Sequence, residues 1–193
     1  MTIESILNMT NTAAFKFADS FASPGLNVFM GYLAKSFLIV LPLIAVYLYY
    51  KKDRNVFSFV FAGVLLFAVA EVLKTIFKVP RPCELSSYSW INTVGCEGGY
   101  GFPSSHAMTL TGLAFFVKNY KYLEVLYIVW LALLLFGRIY LGQHYFTDVL
   151  VGAVLSVILA AVLYRYRKLV NSIGLGIFRM IFGRFTQREF VTD

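Results

Sequence analysis

Long apolar runs separated by short polar and basic segments set the pattern of this chain. Five runs read as membrane-length helices, at about Phe29–Tyr50, Val56–Leu73, His106–Val117, Leu123–Leu141 and Tyr145–Tyr164. Lys35 and Pro42 interrupt the first, and the third is short for a span. Residues 3–22 mix apolar and polar side chains and read as an interfacial helix, with a sixth span as the alternative. Backbone in lipid must satisfy its own hydrogen bonds, so these runs predict helices. The expected fold is therefore an all-α integral membrane bundle, with residues 1–193 as one domain. The start Met1-Thr2-Ile3-Glu4 lacks a basic n-region, so no cleaved signal peptide is expected.

Composition supports the pattern. Apolar and aromatic residues make up 59% of 193, and charged residues 14%, against about 25% in an ordinary soluble domain. A soluble domain of this size cannot hide so much apolar surface, and disorder is excluded. The net charge of +7 is confined to three segments. Residues 51–54, 118–124 and 164–193 carry +2, +1 and +4, and the rest of the chain is neutral. With five spans these segments share one side, which the positive-inside rule assigns to the cytoplasm. The excess is thus a topology signal, and no nucleic-acid partner is expected.

The remaining charges gather elsewhere, in three clusters at the predicted non-cytoplasmic ends of spans. The first is Lys74, six residues, then Arg81-Pro82. A point charge and a planar fork suit phosphate, although two snorkelling side chains at an interface have the same pattern. The second is Pro103-Ser104-Ser105-His106, at the start of an apolar run. Ser104 and Ser105 read as N-caps, and the helix start offers N–H groups to an anion. The third is Arg138, five residues, His144, three residues, Asp148. Residues four apart share a helix face, so Asp148 can orient the imidazole of His144 and leave its other nitrogen free. A structural ion pair is the alternative. Glu71 and Lys74, three apart, predict an ion pair on the second span. No carboxylate-rich cluster suggests a metal pair, and no Gly-rich phosphate loop suggests an ATPase, so no metal or cofactor is expected.

In order, internal spacing and gaps, these clusters resemble the three-part signature of the type 2 phosphatidic acid phosphatase superfamily, over residues 74–148. Two positions depart from it. Ser105 stands where that family has Gly, and Gly137 stands where it has Ser. The resemblance implies metal-independent hydrolysis of a lipid phosphate or diphosphate through a phosphohistidine. His144 is the implied nucleophile, Asp148 its orienting partner and His106 the acid on the leaving oxygen. Lys74, Arg81, Ser104, Ser105 and Arg138 are the implied phosphate ligands. A polyprenyl diphosphate at the non-cytoplasmic face of the cell membrane is the favoured substrate, with phosphatidylglycerophosphate or phosphatidate as alternatives. A lipid transporter without hydrolysis, or a lipid-to-lipid phosphotransferase, is the reading from another class.

Cys83 and Cys96 are too few for a disulfide scaffold or a four-ligand zinc site. Both lie in the long 78–104 loop, on the expected oxidising side, and a bridge between them is expected to add about 3 kcal/mol of loop order.

Overall fold

A computed structural model of the protein describes residues 3–84 and 95–182. Among them the chain forms α1 (Ile3–Asp19), α2 (Pro24–Lys35), α3 (Phe37–Tyr50) and α4 (Asn55–Phe77). After the long loop come α5 (Ser105–Leu113), α6 (Lys121–Tyr140), α7 (Phe146–Arg165) and α8 (Arg167–Phe182). There is no strand among the described residues. The predicted all-α membrane bundle is therefore what forms. By length and apolarity α4, α6 and α7 can each cross a membrane, and the α2–α3 pair can do so together.

The first predicted span is two helices meeting at 43°. The break falls at Ser36 and not at Pro42, which sits inside α3. Ser36 turns its hydroxyl back onto the Leu33 carbonyl (2.7 Å), and Trp130 of α6 donates its indole N–H to that same hydroxyl (2.8 Å). A serine bonded to the preceding turn bends a helix, and the tryptophan fixes the bend. Ser23 starts α2 by accepting the Leu26 N–H, with Pro24 at the first helical position.

The third predicted span differs most from a lipid-facing helix. Only nine residues are α-helical before a 3-10 turn at Ala114–Phe116. Ala107, Met108, Leu110 and Leu113 are buried, in packing against α4 and α7. Glycines permit this closeness. A Cβ on Gly152 of α7 would lie 2.9 Å from the Ser104 carbonyl oxygen. The apolar run here is apolar because protein surrounds it.

The two ends of the bundle are chemically distinct. At one end the Tyr120 hydroxyl donates to Asp53 (3.1 Å), and Lys118 and Arg167 both sit 4.0 Å from the Tyr164 ring centroid. This end collects residues 51–54 and 118–124 and the start of the third basic segment at 165–168. α8 packs there on α4, where Asn171 accepts from the Ser58 hydroxyl (2.6 Å). The opposite end holds the C-terminus of α4, residues 78–84 and 95–104 of the long loop, and the α6–α7 turn. α1 lies along that end, where Phe15 meets Tyr145 and Asn11 accepts the Thr147 N–H.

Candidate active site

Three local devices bring the polar clusters together. The first is the α6–α7 turn. Gly142 takes a left-handed conformation (φ 63°), and the chain doubles back so that the N–H groups of Gln143 and His144 both donate to the Arg138 carbonyl (3.0 and 3.2 Å). The five residues between Arg138 and His144 are thus one closed turn. The second is the start of α7, where Asp148 accepts the Tyr145 N–H (2.9 Å) and faces back to His144. The third is the end of α4. Lys78 terminates it in the left-handed region and Pro80 prevents continuation.

The loop is then sewn onto the turn. Cys83 N–H donates to the Gly142 carbonyl (2.9 Å), and Arg81 Nη1 donates to the Gln143 carbonyl (3.0 Å). Ser104 N–H donates to the Asp148 carbonyl (3.1 Å), which joins the second cluster to the third. Ser105 donates to Glu71 (2.6 Å), and Lys74 donates to the same carboxylate oxygen (2.8 Å), which joins the first to the second. The expected Glu71–Lys74 pair is present, with Ser105 added to it.

At the centre is His144, 1% exposed. Its Nδ1 lies 3.5 Å from Asp148 Oδ2 and its Nε2 lies 3.2 Å from Arg81 Nη1. A proton on Nδ1 faces the carboxylate, and the Nε2 lone pair faces the cations. Burial first, then the charges of Arg138 and Arg81, hold the imidazole well below its ordinary pKa. The ring is therefore neutral, with Nε2 available as a nucleophile.

Arg138 and Arg81 are buried cations and need partners. Arg81 also donates Nε–H to the Gly99 carbonyl (3.2 Å). Arg138 places Nη1 on Glu97 Oε1 (2.6 Å) and Nη2 on Glu97 Oε2, a planar fork on a carboxylate. Burial opposes the charge on Glu97, but Arg138 outweighs it and brings the carboxyl down to about 2. His106, in the first turn of α5, packs edge-on against Phe37 (4.8 Å between centroids). Its Nε2 is buried without a hydrogen-bond partner, as is Arg138 Nε.

All eight predicted side chains thus lie at one end of the bundle. Both serine hydroxyls among them already have protein partners. Ser104 Oγ accepts the Ala107 N–H as an N-cap, and Ser105 Oγ is turned to Glu71. Gly137, where the resembled family has Ser, faces α2, and a Cβ there would lie 3.3 Å from Met30 Sδ. Cys83 and Cys96 are bonded, with Cα atoms 5.7 Å apart. Sequence reasoning missed Glu97 and Gln143. Gln143 donates to the Gly95 carbonyl (2.8 Å) and accepts the Glu97 N–H (3.0 Å). The adjacency of Glu97 to Cys96 was the available signal.

An apolar groove of about 430 Å³ runs between α3, α4 and α5, lined by Phe37, Leu41, Phe59, Val64 and Leu113. It reaches Ser105 and His106 at one end.

A sequence profile of the PAP2 superfamily matches residues 55–172. A dihydrosphingosine 1-phosphate phosphatase of Schizosaccharomyces pombe is 27% identical over 82% of this chain and 42% of its own length. A lipid A 4'-phosphatase of Porphyromonas gingivalis is 31% identical over 67% of this chain and 60% of its own. The chain therefore spans about half the length of these curated relatives. The crystal structure of Aquifex aeolicus LpxE superposes with a TM-score of 0.65, at 24% identity, over 79% of this chain and 93% of that one.

Proposed function

The chain belongs to the PAP2 superfamily, and on that premise we propose that it hydrolyses a lipid phosphate or diphosphate, without a metal, through a phosphohistidine on His144. The observation that carries this reading is the meeting of two surfaces at His106. On one side lie Arg138, Arg81 and the Nε2 of His144, which faces the Arg81 guanidinium. On the other begins a groove that takes an apolar chain. A phosphate held by the two arginines puts its ester or anhydride oxygen toward His106 and its tail into the groove.

The reaction follows in two halves. His144 Nε2 attacks phosphorus, and the Asp148 carboxylate stabilises the positive charge that builds on the imidazole while Nδ1 keeps its proton. The bond from phosphorus to the leaving oxygen breaks, and that oxygen receives a proton from His106. Water then attacks the phosphohistidine and yields its proton to His106. The phosphorus–nitrogen bond breaks, releasing phosphate and restoring both histidines. Arg138, Arg81 and Lys74 neutralise the nonbridging oxygens throughout, together with the first-turn N–H groups of α5.

A polyprenyl diphosphate is the finer reading. A long apolar groove and few polar side chains around it suit a carrier lipid of that kind, and the cation-rich end lies opposite the basic, cytoplasmic end. The chemistry of the sphingoid and lipid A relatives supports a monophosphate as the second reading. The test is phosphate release in detergent with EDTA, from a polyprenyl diphosphate, phosphatidate, phosphatidylglycerophosphate, a sphingoid phosphate and a lipid A phosphate. Release that persists in EDTA and vanishes in His144→Ala supports the mechanism. Release that survives His144→Ala, or stops with EDTA, overturns it.

A further inference from the structure

The phosphate site is not bare in this chain, because Glu97 lies in it. Its carboxylate lies against both terminal nitrogens of Arg138, and Oε2 is 3.6 Å from Arg81 Nη2. The other terminal nitrogen of Arg81 touches His144 Nε2. A phosphate presents the same two-oxygen edge to a guanidinium fork as a carboxylate does. Both anions need the same donors, so they exclude each other. We propose that Glu97 is an internal competitor of the substrate phosphate, held in place by the Cys83–Cys96 bridge and by Gln143, and so sets how strongly an anion must bind to enter the site.

Three features favour a competitor over a plain structural counter-ion. The Glu97 side chain is 46% exposed, although the arginines it meets are buried, so it can swing out without unpacking the core. A cavity of about 460 Å³ adjoins it, with Lys35 on the wall as an alternative partner for a displaced carboxylate. Arg138 Nε and His106 Nε2 remain buried and unpartnered, so the carboxylate leaves donors unmet that a tetrahedral anion has more oxygens to reach. The hold on Glu97 is local and covalent at one side. Cys96 is bonded to Cys83, Cys83 is tied to Gly142, and Gln143 clasps Gly95 and Glu97. A tether raises the effective concentration of what it carries. Reducing the bridge therefore weakens Glu97 as a competitor.

This proposal deepens the phosphatase reading and rests on it, but its test does not require turnover. Tungstate binding to the 193-residue chain in detergent micelles is measured by calorimetry, for wild type and Glu97→Gln. Loss of one charge-assisted pair of competing bonds predicts binding tighter by about tenfold or more in Glu97→Gln. Reduced wild type shifts in the same direction. If Glu97→Gln loses its monodisperse form, Glu97→Asp replaces it. A carboxylate one methylene shorter grips the fork less well, so tighter binding is again expected. Equal or weaker tungstate binding in the folded variant overturns the proposal, and an unchanged affinity on reduction overturns the role of the bridge. Tighter tungstate binding without lipid hydrolysis leaves the competitor standing and removes the phosphatase reading. Hydrolysis that depends on His144, with no gain in tungstate affinity, does the reverse.

Discussion

Asp148 Oδ2 serves two partners at once: it accepts the Tyr145 N–H at 2.9 Å and lies 3.5 Å from His144 Nδ1. One carboxylate thus starts α7 and faces the histidine before it, close enough to favour the Nδ1–H tautomer. Asp148→Asn separates these roles. The amide oxygen can keep the Tyr145 N–H, which turns the amide nitrogen toward His144. Nδ1 must then accept, Nε2 carries the proton, and the nucleophile is lost. The expected fall in kcat is on the order of 10³–10⁴-fold, with the melting temperature in detergent nearly unchanged. Retained activity contradicts the tautomer argument.

The acid limb of activity follows from the same ring. His144 is held well below its ordinary pKa of about 6.5 by burial and by two guanidiniums. A depressed pKa keeps the imidazole neutral, so activity persists below pH 6.5 and falls only as the pH drops through the lowered value. Arg81→Ala removes one of the cations, raises the pKa and moves the limb of kcat/KM to higher pH. The profile is measured with a soluble phosphomonoester and corrected for its own ionisation. A limb that moves to lower pH contradicts the electrostatics.

Gly152→Ala tests the packing that places the second cluster. The new Cβ meets the Ser104 carbonyl at 2.9 Å and Ala107 Cβ at 3.2 Å, and backbone does not yield as a flexible side chain does. A loss of about 1–3 kcal/mol is expected, read as a lowered melting temperature. Activity falls as well, because the displaced strand of chain carries His106. Wild-type stability and turnover together contradict the close approach of α5 and α7.

Much of the site is legible in the sequence because its spacings are local. The three residues between His144 and Asp148 cross one helix start, and the five between Arg138 and His144 close one turn around Gly142. Glu97 was not legible, because a loop and a disulfide bring it to Arg138 from 41 residues away. The burial of α5 was not legible either. An apolar run has the same composition facing lipid as facing α4 and α7, and only the small residue at position 152 hints at the second. Lys35 and Pro42 both marked the first span for a break; it comes directly after Lys35, at Ser36, where a hydroxyl, not a proline, competes for the backbone.

The orientation of the bundle gives a prediction independent of catalysis. Residues 51–54, 118–124 and 165–168 lie at the end opposite His144, and the positive-inside rule predicts that this end is the cytoplasmic one. In intact cells Lys51→Cys, at an exposed position, is expected to resist an impermeant thiol reagent, and Gly98→Cys to react. The reverse pattern puts the site on the cytoplasmic face.

The phosphohistidine is the claim on which the mechanism stands. Rapid acid-free quenching of the protein with a substrate radiolabelled in the attacked phosphate, followed by peptide mapping, tests it most directly. The expected label is stable to base, labile to acid and carried by the peptide containing His144. A label on any other residue, or none in an enzyme that is turning over, contradicts it.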